Sequence, residues 1–372
     1  MFIGFDAKRV FNNRTGLGNY SRILLRDLHA LQSPPQMALF TPKVSLEHDF
    51  LLHQQGVKRI LPKAGFKHFG SIWRSYQMAK EAKVVGVNLF HGLSNELPQG
   101  LEKYKIPSVV TIHDLIFLER PELYAAADRL IYKHKFEQAC KKANLVLATS
   151  EATKRDIIKH FKIKEKKVEV LYQDCHDGFA QSFSIQEKEL VLRQLSVTTP
   201  YILSVGTLEK RKNHLRLIKA YHENKLFSHQ LILVGRRADA APEIDAYIAQ
   251  HKLENFVKII EGIDLHKLQV LYSSAAVFAY ISEIEGFGIP VLEAMKAGIP
   301  TLCSNISSMP EVAGNAALLV NPLNLPEIKS ALSELVQTET TRNELKLKMP
   351  EQVEKFNGKK LASRLLSMYE SI

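Results

Sequence analysis

The chain has 372 residues, 45% of them hydrophobic and 24% charged. That is room for two domains of about 150–200 residues each, and the balance of apolar and charged residues excludes a disordered chain. The formal charge of +11 is lopsided: residues 1–180 hold 28 Lys and Arg against 18 Asp and Glu, whereas residues 181–372 hold 22 against 21. Such a field either draws anionic partners to the first half or only keeps a basic surface solvated.

The start, M-F-I-G-F-D-A-K-R, reads as a short buried strand, not as a charged segment leading a long apolar run. Further strands are predicted at 37–40, 58–61, 89–91, 108–112, 145–149 and 167–171, with helical periodicity at 20–31, 71–82, 128–142 and 151–161. The stretch 61–80 mixes Lys63, Lys67, Arg74 and Lys80 with Phe66, Phe69, Trp73 and Tyr76. That is the profile of a segment lying on a membrane surface, and equally of a helix with core aromatics. Residues 174–199 lack a clear strand, and a linker is expected near 178–184. The rhythm then restarts, with strands at 201–205, 230–234, 257–260, 277–279, 301–302 and 317–320 and helices at 213–223, 241–251, 265–274, 290–297 and 326–334. Buried strands alternating with helices argue for parallel β/α units in both halves. A last helical segment, 351–372, carries Leu361, Leu365, Leu366 and Met368 on its apolar side and must pack on something already built. No run of about 18 apolar residues predicts a membrane span. Cys140, Cys175 and Cys303 are odd in number and far apart, which argues against a disulfide framework or zinc site and fits a reducing compartment.

The strongest motif is E-G-F-G-I-P-V-L-E-A-M-K-A-G-I-P, residues 285–300. Gly286 and Gly288 let bare backbone amides approach a ligand, Pro290 suits a first helical turn, and Gly298 ends the helix. A glycine loop feeding a helix N-terminus is an anion site. Glu293, expected in the first turn, can accept two hydroxyl hydrogen bonds of a ribose, while Glu285 faces the same ligand from the other side of its phosphates. The second motif, S-V-G-T-L-E-K-R-K-N at 204–213, ends a strand at Gly206 and offers Arg211 and Lys212 to neutralise phosphates. Alone, that cluster reads equally well as a solvated basic loop. In the first half, T-G-L-G-N-Y at 15–20 places Gly16 and Gly18 after strand one, but position 21 is Ser21 where a dinucleotide fingerprint wants glycine. His113, in T-I-H-D-L, and His91, in H-G-L-S-N, stand at strand ends, where a histidine serves a ligand or the structure. Asp114 reads as a cap.

These motifs resemble the retaining family-4 glycosyltransferases of GT-B fold, most closely bacterial mannosyltransferase-like members, over nearly the whole chain. The resemblance implies an α/β protein of two Rossmann-like domains with parallel sheets facing across a cleft. Residues 1–178 would form the acceptor side and 185–350 the donor-nucleotide domain, with the helix 351–372 packing back on the first. It implies catalytic roles for His113, Glu285, Arg211 and Lys212. Glu293 would bind the ribose, and the backbone of Phe287, Gly288 and Ile289 the diphosphate. Gly206, Thr207 and Gly235 would line the donor site, with Arg236 on the base-side loop, and Gly16 and Gly18 would face the donor. Some members carry arginine directly after the first of these glycines, where this chain has Thr207, which bears on Arg211 more than on Lys212.

No D-x-D pair suggests a metal, and no cofactor is implied. The donor substrate is a nucleoside-diphosphate sugar, GDP-mannose ahead of a UDP-sugar, and the acceptor a saccharide or lipid-linked saccharide of bacterial surface polysaccharide. A front-face retaining reaction is implied, with the leaving phosphate accepting the proton and no protein nucleophile. A cytoplasmic enzyme, peripheral on the inner face of the plasma membrane through its basic first domain, fits. An epimerase of the same fold and a non-catalytic sugar-nucleotide-binding protein remain as alternatives. Nucleic-acid binding would rest on charge alone, for no helix-turn-helix, zinc or aromatic RNA-binding signature is present.

Overall fold

Short apolar runs bury both faces only when helices cover a parallel sheet on both sides, and the computed structural model, which describes residues 1–13, 15–45, 50–63 and 70–372, contains two such sheets. In the first, β1 (Phe2–Asp6), β2 (Gln36–Phe40), β3 (Val57–Ile60), β4 (Leu89–Gly92), β5 (Ser108–Ile112), β6 (Leu145–Ala148) and β7 (Val168–Val170) lie in the order β3-β2-β1-β4-β5-β6-β7, every pair parallel. In the second, β8 (Tyr201–Val205), β9 (Gln230–Val234), β10 (Val257–Ile260), β11 (Val277–Tyr280), β12 (Thr301–Ser304) and β13 (Leu318–Val320) lie in the order β10-β9-β8-β11-β12-β13, again all parallel. Each order reverses once, between β1 and β4 and between β8 and β11. In open α/β sheets that switch point is where ligands sit, outside the carboxyl ends of the strands.

The chain forms two compact units, Met1–Asp174 with Phe356–Ile372, and Cys175–Lys355. The first unit ends at Asp174, ahead of the stretch expected as linker. Phe179 finds an apolar slot in the second unit, edge-on to Tyr272 at 5.0 Å, so Asp177–Ala180 is a 3-10 turn. Ser184 then caps the helix Ile185–Gln194, its hydroxyl accepting from the Glu187 amide at 3.2 Å.

The C-terminal segment is not one helix from 351. Helices Glu339–Glu354 and Gly358–Glu370 are separated by a break at Asn357, whose side chain accepts from the Lys360 amide. Gly358 is required there: a Cβ would stand 2.1 Å from Asp27 Oδ2 and 3.0 Å from Asp174 Oδ2. The latter oxygen accepts from the Gly358 amide at 2.9 Å. Leu361, Ala362, Leu365 and Tyr369 bury the face of the last helix in the same core as Ile3, Leu24 and Leu28. Tyr369 also completes a polar column. Its hydroxyl is 2.6 Å from His91 Nδ1, His91 Nε2 is 2.8 Å from Thr111 Oγ1, and that hydroxyl is 3.1 Å from the Tyr20 hydroxyl. His91 is thus a core histidine.

Within 61–80, Phe66, Lys67 and Phe69 lie outside the described residues. Trp73 is fully buried, its indole N–H donating to Glu81 at 2.9 Å, and Arg74 points inward to Asp6 and Glu96. These two side chains therefore belong to the interior and not to a membrane-facing surface, whereas Ile72, Tyr76 and Lys80 are exposed. Among the described residues no helix is long and apolar enough to cross a membrane. All three cysteines are buried, and none forms a disulfide among the described residues.

Burial holds His91 at about 3 and His113 at about 4, well below the ordinary 6.5. The folded state therefore resists protonation that the unfolded chain accepts. Stability should be complete above pH 6.5 and fall below it, by up to about 1.4 kcal/mol per pH unit for each such histidine. Urea midpoints measured from pH 7.5 to 5 should decline, and less steeply in His91→Asn. Tyr369→Phe should cost about 1–3 kcal/mol by leaving His91 Nδ1 without its partner, with faster amide exchange in Gly358–Glu370. Unchanged exchange there would remove the polar column as a reason for the helix to dock.

Candidate active site

The site of the second unit grows from the ends of β8 and β11. After β8 the chain turns through Lys210–Lys212 and reaches Asn213 in a left-handed conformation at φ 62°, which aims it into the helix His214–Glu223. The Asn213 side-chain amide donates to the carbonyls of Ile281, at 3.1 Å, and Pro322, at 2.8 Å. The Arg211 carbonyl accepts from the Glu283 amide at 2.8 Å and from the Ser282 hydroxyl at 3.0 Å. Two loops from neighbouring strands are thereby sewn together.

Glu285 lies where they meet. Its Oε1 accepts from Lys212 Nζ at 2.5 Å, the Ser282 hydroxyl at 2.6 Å, and Arg211 Nη1 and the Tyr280 hydroxyl at 2.9 Å. Among the described residues Oε2 has no protein donor. Burial would raise this carboxyl, but Lys212 and Arg211 beside it hold it at about 2. Lys212 is itself pulled below its usual value, chiefly by burial and against the attraction of Glu285. The result is an ionised carboxylate pinned by one oxygen and offering the other.

The loop after Glu285 is shaped from behind. The Ser307 hydroxyl donates to the Glu285 carbonyl at 2.5 Å, and that of Ser308, fully buried, to the Phe287 carbonyl at 2.7 Å. Gly288 caps the helix Ile289–Lys296 at φ 111°, and a Cβ there would stand 2.1 Å from Met309 Cε. As at any helix start, the first amides, Ile289 among them, lack intrahelical acceptors.

Glu293 is the fifth residue of that helix and not in its first turn. It is one turn inside and buried, whereas the sequence places it in the first turn. Its Oε2 accepts from the buried Tyr272 hydroxyl at 2.8 Å, and burial raises the carboxyl to about 7. Among the described residues its Oε1 has no protein donor.

Gly206 and Gly235 end β8 and β9 side by side. A Cβ on Gly235 would stand 1.9 Å from the Gly206 carbonyl oxygen, so backbone approach alone requires that glycine. Thr207 is half-buried, and its carbonyl accepts from the Glu209 amide at 2.7 Å; Arg236 is exposed.

In the first unit, Gly16 opens the helix Gly16–His29, with space where a side chain would be. Gly18 has a structural reason: a Cβ would stand 2.0 Å from the Asn13 carbonyl oxygen. His113, at the end of β5, is buried. Its Nε2 donates to the Leu93 carbonyl at 2.9 Å, and its ring meets Tyr20 edge-on at 4.6 Å. Asp114 caps the turn after it, accepting from the Ile116 amide at 3.1 Å. The sequence reading missed Tyr280, Ser282, Ser307, Ser308 and Tyr272. The first four stand at or just after the ends of β11 and β12, which was the available signal; Tyr272, in the last turn of the helix Leu265–Ser274, carried none.

Known proteins resemble the chain in both of its halves. Residues 187–352 match the family model "Glycosyl transferases group 1" and residues 15–173 match "Glycosyltransferase Family 4". The chain is 25% identical to O-antigen chain mannosyltransferase B of Escherichia coli over the full length of both. It is 28% identical to O-antigen chain mannosyltransferase RfbU of Salmonella typhimurium over 67% of this chain and 63% of that one. Among solved structures, Anabaena HepE in complex with UDP and glucose superposes with a TM-score of 0.78 at 17% identity, covering 100% of this chain and 99% of HepE. The chain belongs to the family-4 glycosyltransferases of GT-B fold.

Proposed function

We propose that this glycosyltransferase moves a hexose, mannose by preference, with retention of configuration, from a nucleoside-diphosphate sugar to a saccharide or lipid-linked acceptor of bacterial surface polysaccharide. The observation that carries the reading is the pair of anchored carboxylates. Glu285, beside Lys212 and Arg211, and Glu293, on the far side of the Gly288 loop, each spend one oxygen on the protein and leave the other without a protein donor among the described residues. In this reading Glu293 takes ribose hydroxyls and the backbone of Phe287, Gly288 and Ile289 takes the diphosphate. Arg211 and Lys212 stabilise charge on the leaving group, and Glu285 lies against the sugar. Gly206, Thr207 and Gly235 let the nucleotide approach the strand ends, and Gly16, Gly18 and His113 serve the sugar from the first domain. The leaving phosphate accepts the acceptor's proton, with no protein nucleophile.

Mannose is supported by the names of the relatives, two of them O-antigen chain mannosyltransferases; GDP is carried over from the resemblance in the sequence. A metal-independent reaction is supported by the two cations, which can do the work of a divalent ion. A cytoplasmic enzyme held at the inner membrane face is supported by the basic first half of the chain.

Thermal shift with GDP, UDP, ADP and dTDP should single out one base. Glu293→Ala should weaken that nucleotide by roughly ten- to hundredfold, the worth of hydrogen bonds to a charged group. Glu285→Gln should reduce transfer far more than nucleotide affinity. Normal turnover in both variants refutes the assignment, and binding without any sugar release or transfer would make the protein a sugar-nucleotide binder.

The carboxyl of Glu293 also sets a pH dependence. With the free protein protonated below about 7, and ribose hydroxyls donating to the ionised form, affinity should be full above pH 7. It should fall by up to about tenfold per unit below that. Calorimetry at pH 6 and pH 8 checks this, with Glu293→Gln as the variant that should lose the difference.

A further inference from the structure

The first unit has a switch point of its own, between β1 and β4, and the charges gathered there do not balance. Asp6 is the last residue of β1, and Glu96 follows β4. Both are taken by Arg74, whose Nε is 2.5 Å from Asp6 Oδ2 and whose Nη1 is 2.9 Å from Glu96 Oε2. Arg74 is well buried, with 14% of its side chain exposed, and Lys135 adds a further cation to Glu96 at 3.4 Å.

Immediately after β1 come Lys8 and Arg9, both half-buried. Among the described residues neither their ammonium nor their guanidinium has a hydrogen-bond or ion-pair partner. They crowd one another. Burial, then Arg74 and Arg9, pull the Lys8 ammonium below its usual value, and Arg9 opposes protonation of His113. Half-burying two like charges, with the neighbouring carboxylates already spent, is unfavourable unless an anion completes the cluster.

We infer that Lys8 and Arg9 form an oxyanion subsite that takes a phosphate or diphosphate group of the acceptor, a reading that rests on the transferase function above. Two unpaired cations match a doubly charged phosphate better than a single carboxylate, and a guanidinium fork beside a point-charge ammonium suits its geometry. The nucleotide has its own cations in Arg211 and Lys212, so the second set is left for the other substrate.

Inorganic pyrophosphate is the probe. Calorimetric titration of full-length Arg211→Ala/Lys212→Ala protein reads the first unit's site without the nucleotide cations. Adding Lys8→Gln/Arg9→Gln should weaken pyrophosphate by about tenfold or more and flatten its salt dependence, with Lys8→Arg/Arg9→Lys restoring most of it. The restored variant shows that the loss is not one of folding. Unchanged binding in the Gln pair overturns the proposal. So does a tenfold loss of nucleoside-diphosphate affinity when the Gln pair is made in the wild-type background, which would assign the cations to the donor. Retention on phosphatidylglycerol vesicles that needs Lys8 and Arg9, without pyrophosphate binding, overturns it in favour of a lipid surface. If no nucleotide binds the wild type while pyrophosphate still needs Lys8 and Arg9, the transferase reading fails and the anion site stands.

Discussion

Glu285 carries its charge with only 11% of its side chain exposed, and burial of that degree would by itself drive the carboxyl to its neutral form. It stays ionised because four donors converge on one oxygen, two of them cationic. The arrangement is reciprocal. Lys212 and Arg211 are held in place by the carboxylate whose charge they sustain, and Ser282 and Tyr280 are held by it too. The ends of β8 and β11 are joined through this oxygen, and the loop after β12 is joined through the serines that grip the Glu285 carbonyl. Breaking such a buried pair by removing one partner typically costs about 3–5 kcal/mol, because the survivor is left charged and uncompensated. The position of the glycine loop, and with it the helix that contains Glu293, depends on that one ion cluster.

The first unit answers the same constraint without charge. Tyr20, Thr111, His91 and Tyr369 are each buried, and each supplies the partner the next one needs. A buried polar group that lacks a partner is expensive, so the column admits one packing of the last helix. Where the unit does carry charge in its interior, at Arg74, two carboxylates meet it. Where it carries charge without partners among the described residues, at Lys8 and Arg9, the residues follow the end of β1.

Much of this was legible in the sequence, for identifiable reasons. All thirteen strands stand within a residue or two of their expected places, because most are short apolar runs and parallel burial leaves few other uses for such a run. The glycine loop and its helix were legible because Gly288 and Pro290 are local requirements of backbone geometry. The depth of Glu293 was not, since a shift of one turn changes exposure without changing the motif. The break at Asn357 was hidden because its cause, the carboxylates of Asp27 and Asp174, is far away in the chain. Trp73 and Arg74 misled for a related reason: an aromatic beside a cation looks the same on paper whether it faces lipid or Glu81 and Asp6.

The hydrogen bond between the Gly358 amide and Asp174 brings together the residue at which the chain leaves the first unit and a residue just past its return at Phe356. The second unit is thus a closed excursion from the first, out and back through neighbouring doors. During synthesis this imposes an order. The first sheet can form early, but His91 waits for a tyrosine 278 residues further on, and the groove that receives the last helix stays open until the whole second unit has left the ribosome. A nascent chain stalled near residue 355 would have its second unit complete and its first unit exposing an apolar seam, the state in which a chaperone would find it.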